Sequence, residues 1–62
     1  MNSVAEFHIL DMAHGIYDGP GAAQCALEDK DGLVIMEKDG VYVVCNIGVA
    51  MQLWLMNYQQ ID

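Results

Sequence analysis

The stretch from Gly40 to Ile61 constrains the fold most, because it contains no charged side chain. Every acid and every lysine precedes it, apart from Asp62. It is long enough to supply the ~20 largely apolar residues that a membrane-spanning helix needs. However, no basic residues flank it, and Asn46 and Gly48 interrupt it, so the sequence favours a buried core over a membrane span. The rest of the chain must then cover this apolar third.

The chain has 62 residues, which is the size of one small domain spanning positions 1–62. A domain of this size buries only ~60% of the surface that its unfolded chain exposes, so it often needs a disulfide, a metal or an oligomeric interface. Two cysteines, Cys25 and Cys45, are too few for a disulfide-dense secreted scaffold. The first residues also lack the basic and apolar segments of a signal peptide. We therefore expect a cytoplasmic protein with reduced thiols.

The charge balance is strongly acidic, with nine acids against two lysines and a formal net charge of −7. Nucleic-acid affinity depends on lysine and arginine neutralising phosphates, and anionic membranes attract the same residues. Direct binding to nucleic acid or to a membrane is therefore not expected. An acidic chain is instead attracted to basic protein surfaces, which include the nucleic-acid grooves of other proteins.

The N-terminal segment contains a helix signal. Ser3 and Glu6 fit a capping box, which predicts a helix over Val4–His14 that ends at Gly15. Alternating apolar residues in the same segment leave a strand open as the alternative. The following segment, residues 16–21, has the sequence IYDGPG, which is typical of a turn.

The middle of the chain repeats an acidic–Lys–Asp–Gly–aliphatic pattern at an offset of eight residues. The second copy predicts a β-hairpin of Leu33–Glu37 and Val41–Cys45 with a type I′ turn at Asp39–Gly40. Lys38 would then face Val41, Met36 would face Val43, and Val34 would face Cys45. Ala22–Leu27 has high helix propensity, but the first copy of the repeat also permits a third strand over Gln24–Glu28.

Both faces of the predicted hairpin are apolar. One face carries Val34, Met36, Val41, Val43 and Cys45, and the other carries Leu33, Ile35, Tyr42 and Val44. A ribbon that is apolar on both faces must be covered on both faces. One helix can cover one face, and the other face needs a second helix or another chain.

The C-terminal segment predicts a helix over Ile47–Gln60 with Asn46 as its N-cap. Helical spacing gives one apolar stripe that we expect to face the core, with Trp54 in it, and a second apolar strip on another side. The stripe is Ile47, Ala50, Met51, Trp54, Leu55 and Tyr58, and the second strip is Val49, Leu53 and Met56. This surplus of apolar surface predicts a homodimer with an interface formed by Leu33, Ile35, Tyr42, Leu53 and Met56.

Catalytic and metal-binding groups are scarce. His8, His14, Cys25 and Cys45 lack the spacing of a zinc site, and the acidic turns do not fit an EF-hand. There is one serine, no threonine and no arginine, and both cysteines lie in apolar runs where a thiol pKa rises. We therefore expect no catalytic residues, no metal, no cofactor and no enzymatic activity.

Five acids cluster on the predicted turns: Glu28, Asp29, Asp31, Glu37 and Asp39. They are either solvated turn residues or an acidic ridge that docks onto lysines and arginines of another protein. In size, acidity and lack of catalytic groups, the chain resembles the small inhibitors encoded by phages and mobile elements, such as anti-CRISPR proteins and other DNA mimics. The resemblance implies an inhibitor that uses these acids to block a basic surface of a host effector.

The sequence thus predicts a small α+β domain. An antiparallel hairpin or three-stranded meander is packed by a C-terminal helix and by an N-terminal helix or strand. Two functions stay open: the acidic inhibitor, and a small homo-oligomeric assembly module that binds a partner through an apolar surface.

Overall fold

The computed structural model describes residues 4–28 and 31–61. Within them the chain forms three helices and four strands around one sheet, which confirms the α+β class. In chain order the elements are α1 Val4–Asp11, β1 Gly15–Tyr17, α2 Pro20–Leu27, β2 Leu33–Lys38, β3 Val41–Asn46, α3 Ile47–Trp54 and β4 Gln59–Gln60.

The sheet has the strand order β1-β3-β2-β4, and every neighbouring pair is antiparallel. The chain therefore crosses β3 through α2 on the way from β1 to β2, and crosses β2 through α3 on the way from β3 to β4. These two crossovers move in the same direction across the sheet but start from antiparallel strands. Crossovers of the same hand then place α2 and α3 on opposite faces, so the sheet becomes the middle of three layers.

The central hairpin matches its prediction. Asp39 and Gly40 have φ values of 52° and 83°, as a type I′ turn requires. The carboxylate of Glu37 accepts a hydrogen bond from the Gly40 N–H at 3.0 Å, which stabilises the turn. The predicted register is confirmed for Lys38–Val41, Met36–Val43 and Val34–Cys45.

Helices cover both faces of this hairpin, as its two-sided apolar pattern requires. On one face, α3 packs on the sheet and α1 packs against the larger cluster that results: Met36, Val43, Cys45, Val49, Ala50, Leu53 and Tyr58. On the other face, Ala23 of α2 packs over Ile35 and Val44 of the sheet, and all three are 0% exposed. Because α2 supplies this second cover, the hairpin's second face does not need another chain. Assembly of a homodimer through that face is therefore no longer expected.

The N-terminal third differs from its prediction in two respects. The helix α1 ends at Asp11 rather than at His14. The first two residues of the expected turn, Ile16 and Tyr17, belong to the strand β1. The His14 N–H donates to the Val44 carbonyl at 2.8 Å, and Ile16 pairs with Val43. The unpaired edge of β3 thus draws this segment into the sheet, although local turn propensity is high. Ser3, half of the predicted capping box, lies outside the described residues.

The segment after β1 is a helix, so the three-stranded meander with a strand at Gln24–Glu28 is wrong. The helix α2 begins at Pro20, where a missing N–H costs nothing in the first turn. Gly19 before it is extended, with φ of −154°, as a residue that precedes proline prefers. Ala23 is 0% exposed, and its small side chain lets the helix lie close to the sheet.

The last helix begins where expected and ends earlier. The Asn46 side chain accepts from the Val49 N–H at 2.9 Å, which confirms the predicted N-cap. The helix ends at Trp54 rather than at Gln60. Asn57 has φ of 74°, its N–H donates to the Trp54 carbonyl at 3.2 Å, and the Tyr58 N–H donates to the Leu53 carbonyl at 3.1 Å. This pair of hydrogen bonds is a Schellman motif, and it turns the chain back so that β4 can pair with β2.

The predicted core stripe of this helix is largely wrong. Val49, Ala50 and Leu53 are buried, so the strip assigned to the surface mainly forms the core. Ala50 is the one helical residue of the predicted stripe that is buried; Tyr58 is buried too, but it lies beyond the helix. Its other members are exposed: Ile47, Met51, Trp54 and Leu55. No helix within residues 4–28 and 31–61 is both long and apolar enough to cross a membrane.

Candidate functional site

The predicted acidic residues do not form one ridge. Glu37 and Asp39 lie at the tip of the hairpin, whereas Glu28 and Asp31 precede β2 and lie near its opposite end. Asp31 and Glu37 are six positions apart in the chain, which at ~3.3 Å per residue of extended chain is a distance of roughly 20 Å. Asp29 lies outside the described residues. The structure therefore brings together two of the five predicted acids at one end of the sheet and two at the other.

One further acid joins the hairpin tip. Asp18 directly follows β1, whose last residue Tyr17 pairs with Tyr42 beside the turn. We call Asp18, Glu37 and Asp39 the acidic tip. The position of Asp18 beside the hairpin depends on the pairing of β1 with β3, so the local sequence does not reveal it.

A cation and an aromatic ring lie next to the acidic tip. The Lys38 ammonium donates to the Met56 carbonyl at 3.3 Å and lies 5.4 Å from the centre of the Tyr58 ring. A cation over an aromatic face is attracted by the ring's electron density. Lys38 therefore ties the hairpin to the turn after α3.

Tyr58 connects the same turn to α1. Its hydroxyl donates to Oε2 of Glu6 at 2.9 Å, while its ring is almost fully buried. Burial, the hydrogen bond to Glu6 and the negative charges of Glu6 and Asp39 together raise the pKa of Tyr58 to about 12. All four causes disfavour the phenolate, so the contact holds α1 against the C-terminal turn at neutral pH.

Two of the five residues predicted for an oligomer interface lie inside the chain. Ile35 and Leu53 are 0% exposed in the chain's own core. Leu33 and Tyr42 are half-buried beside α2, and Met56 packs against the larger core. Ile35 and Leu53 have no surface to offer to a partner, so the interface predicted at these two positions is corrected to the core.

An apolar surface does exist, on the outer side of α3. Ile47, Met51, Trp54 and Leu55 are between 52% and 73% exposed, and we call these four residues the α3 face. They border an open groove of about 320 Å³ whose lining includes Met36, Ala50, Gln52 and Gln60. Because Gln60 belongs to the edge strand β4, the groove opens towards the β4 edge of the sheet.

Sequence reasoning detected both apolar strips of this helix but assigned them to the wrong sides. Helical spacing shows that two strips exist, and the pattern contains nothing that orients the helix about its own axis. The missed signal is Asn57, an asparagine in a position that ends a helix in the left-handed conformation. A helix that stops before Asn57 has to send the chain back to the sheet, which fixes the side that faces inward.

The two cysteines lie in different layers. Cys45 is on β3 in the larger core, where burial raises the pKa of its thiol, and Cys25 is exposed on α2 over the other face. The sheet therefore separates them, and both are free thiols. Among residues 4–28 and 31–61, no three of the histidine, cysteine and acidic side chains are grouped closely enough to hold a metal ion.

Comparison with protein families, curated proteins and solved structures finds no match to this chain. The function is therefore inferred from the two surfaces described above.

Proposed function

We propose that this chain is a non-enzymatic binding module that assembles with a protein partner through the α3 face. The observation that supports the proposal is the exposure of four large apolar side chains next to one another, around an open groove. Monomeric soluble proteins rarely expose contiguous apolar patches above a few hundred Å², and larger ones mark interaction sites.

The composition of the α3 face suits binding. Trp54 is 66% exposed and Met51 is 64% exposed, and tryptophan and methionine are enriched at the centres of interfaces. Each Å² of apolar surface removed from water contributes about 25 cal/mol. The exposed parts of Trp54 and Leu55 therefore represent a substantial stabilisation that only a partner can realise.

Affinity capture at two salt concentrations tests this function. The tagged protein is incubated with cell extract at about 0.1 M and at about 1 M salt, where the Debye length falls from ~10 Å to ~3 Å. Binding through the uncharged α3 face should persist at high salt, and Leu55→Glu should abolish it. Ala22→Glu is the matched control, because it adds the same charge at an exposed position of α2, on the opposite face. Binding that Leu55→Glu leaves unchanged would contradict the proposal.

The acidic tip supports a second candidate function, an inhibitor that covers a basic nucleic-acid-binding surface of a host effector. Such proteins are typical of phages and mobile elements, and this would be an anti-CRISPR or DNA-mimic type of activity. Its support is the convergence of Asp18, Glu37 and Asp39 at one end of a chain with a net charge of −7. Charge complementarity of this kind speeds association and selects partners.

Neutralisation of the tip distinguishes the two functions. The double variant Asp18→Asn with Asp39→Asn keeps the turn, because asparagine accepts the positive φ at position 39. If the protein is an inhibitor that uses this tip, the double variant should lose partner binding at low salt. The single variant Asp31→Asn, at the other end of the sheet, should retain it. Capture that is insensitive to both variants and to salt leaves the α3 face as the binding surface.

A further inference from the structure

We infer that the occupant of the α3 face is a second copy of this chain, docked across a two-fold axis. The inference rests on the proposed function, since it names the partner of the same surface. Three features of the surface favour a second copy over an unrelated protein: its shape, the chemistry of its rim and the free edge of β4.

The shape is self-complementary. In a two-fold interface the same patch faces itself, so the patch must contain both a projection and a recess. Leu55 is 73% exposed and projects from the end of α3. The groove beside it has Met36 and Ala50 in its lining, and both of these are buried. Two copies in opposite orientation can each place an apolar projection in the recess of the other.

The rim carries amides rather than charges. Gln52 and Gln60 line the groove, and residues 40–61 contain no charged side chain. An amide both donates and accepts hydrogen bonds, so it can pair with an identical amide across a two-fold axis, which a carboxylate cannot do. Each copy carries a net charge of −7, so an uncharged contact face also keeps the acids of the two copies out of the interface.

The edge of the sheet lies on the same side. The Ile61 N–H donates to the Ile35 carbonyl at 3.0 Å, so these two residues form a hydrogen-bonded pair. The neighbouring pair is Gln60 with Met36. Hydrogen-bonded and non-hydrogen-bonded pairs alternate in antiparallel sheets, so the backbone N–H and carbonyl of Gln60 point away from β2, towards the free edge. A second copy that approaches across a two-fold axis brings its own Gln60 antiparallel to this one and can satisfy both groups.

The available area matches what a dimer requires. The exposed parts of the α3 face and Ile61 amount to roughly 500 Å² of apolar surface. A stable interface buries about 800 Å² per partner, of which somewhat more than half is apolar. With the amide rim and the β4 edge included, the surface is large enough, and it is a moderate share of the chain's total 4134 Å².

Sedimentation equilibrium of the free protein from about 1 µM to about 1 mM, the range of weak to moderate dissociation constants, tests the dimer. The mass should rise to twice that of the 6.8 kDa chain. Trp54 is the single tryptophan, so its fluorescence maximum should shift to shorter wavelength over the same concentrations. Leu55→Glu and Met51→Glu should each abolish both changes, while the control Ala22→Glu keeps them. Circular dichroism establishes that each variant is folded.

Four results would overturn the second copy. The first is a wild-type chain that stays a monomer to about 1 mM with the emission of exposed tryptophan. The second is a dimer that persists in both folded charge variants, because it would use another surface. The third is a monomer that retains a different protein through the α3 face, which removes the second copy but leaves the proposed function. The fourth is a monomer that retains no protein at all, which removes both the second copy and the proposed function.

Discussion

Two leucines of α3 and its C-terminal turn show how strongly tertiary position outweighs residue type. Leu53 is 0% exposed, whereas Leu55, two residues later, is 73% exposed. Removal of a buried leucine side chain costs its transfer free energy and leaves a cavity. The same truncation on the surface removes few contacts.

We therefore expect Leu53→Ala to lower the free energy of unfolding by about 2–5 kcal/mol. Leu55→Ala should change it by no more than about 0.5 kcal/mol, and the two variants are each other's control. Urea denaturation of the isolated monomer, at low protein concentration, measures both. Equal losses would show that the buried side of this segment has been assigned incorrectly.

The hydroxyl of Tyr58 gives the protein a pH-dependent stability. Its pKa in the folded state is raised from 10.0 to about 12, by burial first and then by Glu6 and Asp39. The unfolded state thus releases the proton at a lower pH than the folded state does. The contribution of the protonated Tyr58 hydroxyl to the free energy of unfolding is complete below pH 10 and is lost as the pH rises towards about 12.

We expect the free energy of unfolding to fall more steeply between pH 10 and about 12 in the wild type than in Tyr58→Phe. The variant should also be less stable at neutral pH by about 1 kcal/mol, because it lacks the hydrogen bond to Glu6. Burial also raises the pKa of Cys45, so both proteins lose some stability at alkaline pH for that reason. The difference between their curves therefore measures the contribution of Tyr58 alone. Parallel curves for the two proteins would refute the assignment.

At the scale of elements, two asparagines set the limits of α3. Asn46 caps its first turn, and Asn57 adopts the left-handed conformation that ends it and starts the return to β4. The second position matters more for the topology, because β4 can pair with β2 only if the chain reverses there. Left-handed backbone is unfavourable for residues with a Cβ, most of all for β-branched ones.

Asn57→Val should therefore destabilise the fold by about 1–3 kcal/mol, the cost of a strained backbone conformation. Asn57→Gly is the matched control, because glycine adopts a positive φ without strain and should leave the stability close to that of the wild type. Thermal unfolding followed by circular dichroism measures both. A valine variant as stable as the glycine variant would show that α3 does not end in this motif.

At the scale of the whole molecule, the sheet divides the chain into two cores. Cys45 lies in the core beneath α1 and α3, and Cys25 is exposed on α2 on the other side. A thiol reagent added to the native protein should therefore modify one cysteine at once. The second should react only when the protein unfolds.

Mass spectrometry after brief treatment with iodoacetamide checks this layer order. We expect a single modification at Cys25 in the native protein and two modifications in denaturant. Cys25→Ser should show none under native conditions, which serves as the control. Rapid modification of Cys45 in the native state would contradict the burial of β3 beneath both helices.

The acidic residues are also arranged at the scale of the whole molecule. The acidic tip lies at one end of the sheet, Glu28 and Asp31 lie near the other, and the α3 face is free of charge. A dimer through the α3 face would leave both acidic ends exposed to solvent. Assembly and charge-based recognition can therefore occur in one molecule without competing for the same surface.

Local chemistry by itself determined the parts of this protein that need only near neighbours in the chain. The Asp39–Gly40 turn, the register of the hairpin, the apolar character of both its faces and the Asn46 cap all depend on residues a few positions apart. Turn geometry and strand alternation are short-range effects, so the sequence predicts them directly.

Only the tertiary structure decided which side of α3 faces inward and which acids lie together. Both strips of the helix are apolar, so hydrophobic burial favours either orientation almost equally, and the connection through Asn57 to β4 selects one. Likewise, Gly15–Tyr17 becomes a strand because β3 offers it an unpaired edge. This pairing joins residues 15–17 to residues 42–44, which are far away in the chain, so no local pattern in residues 15–17 encodes it.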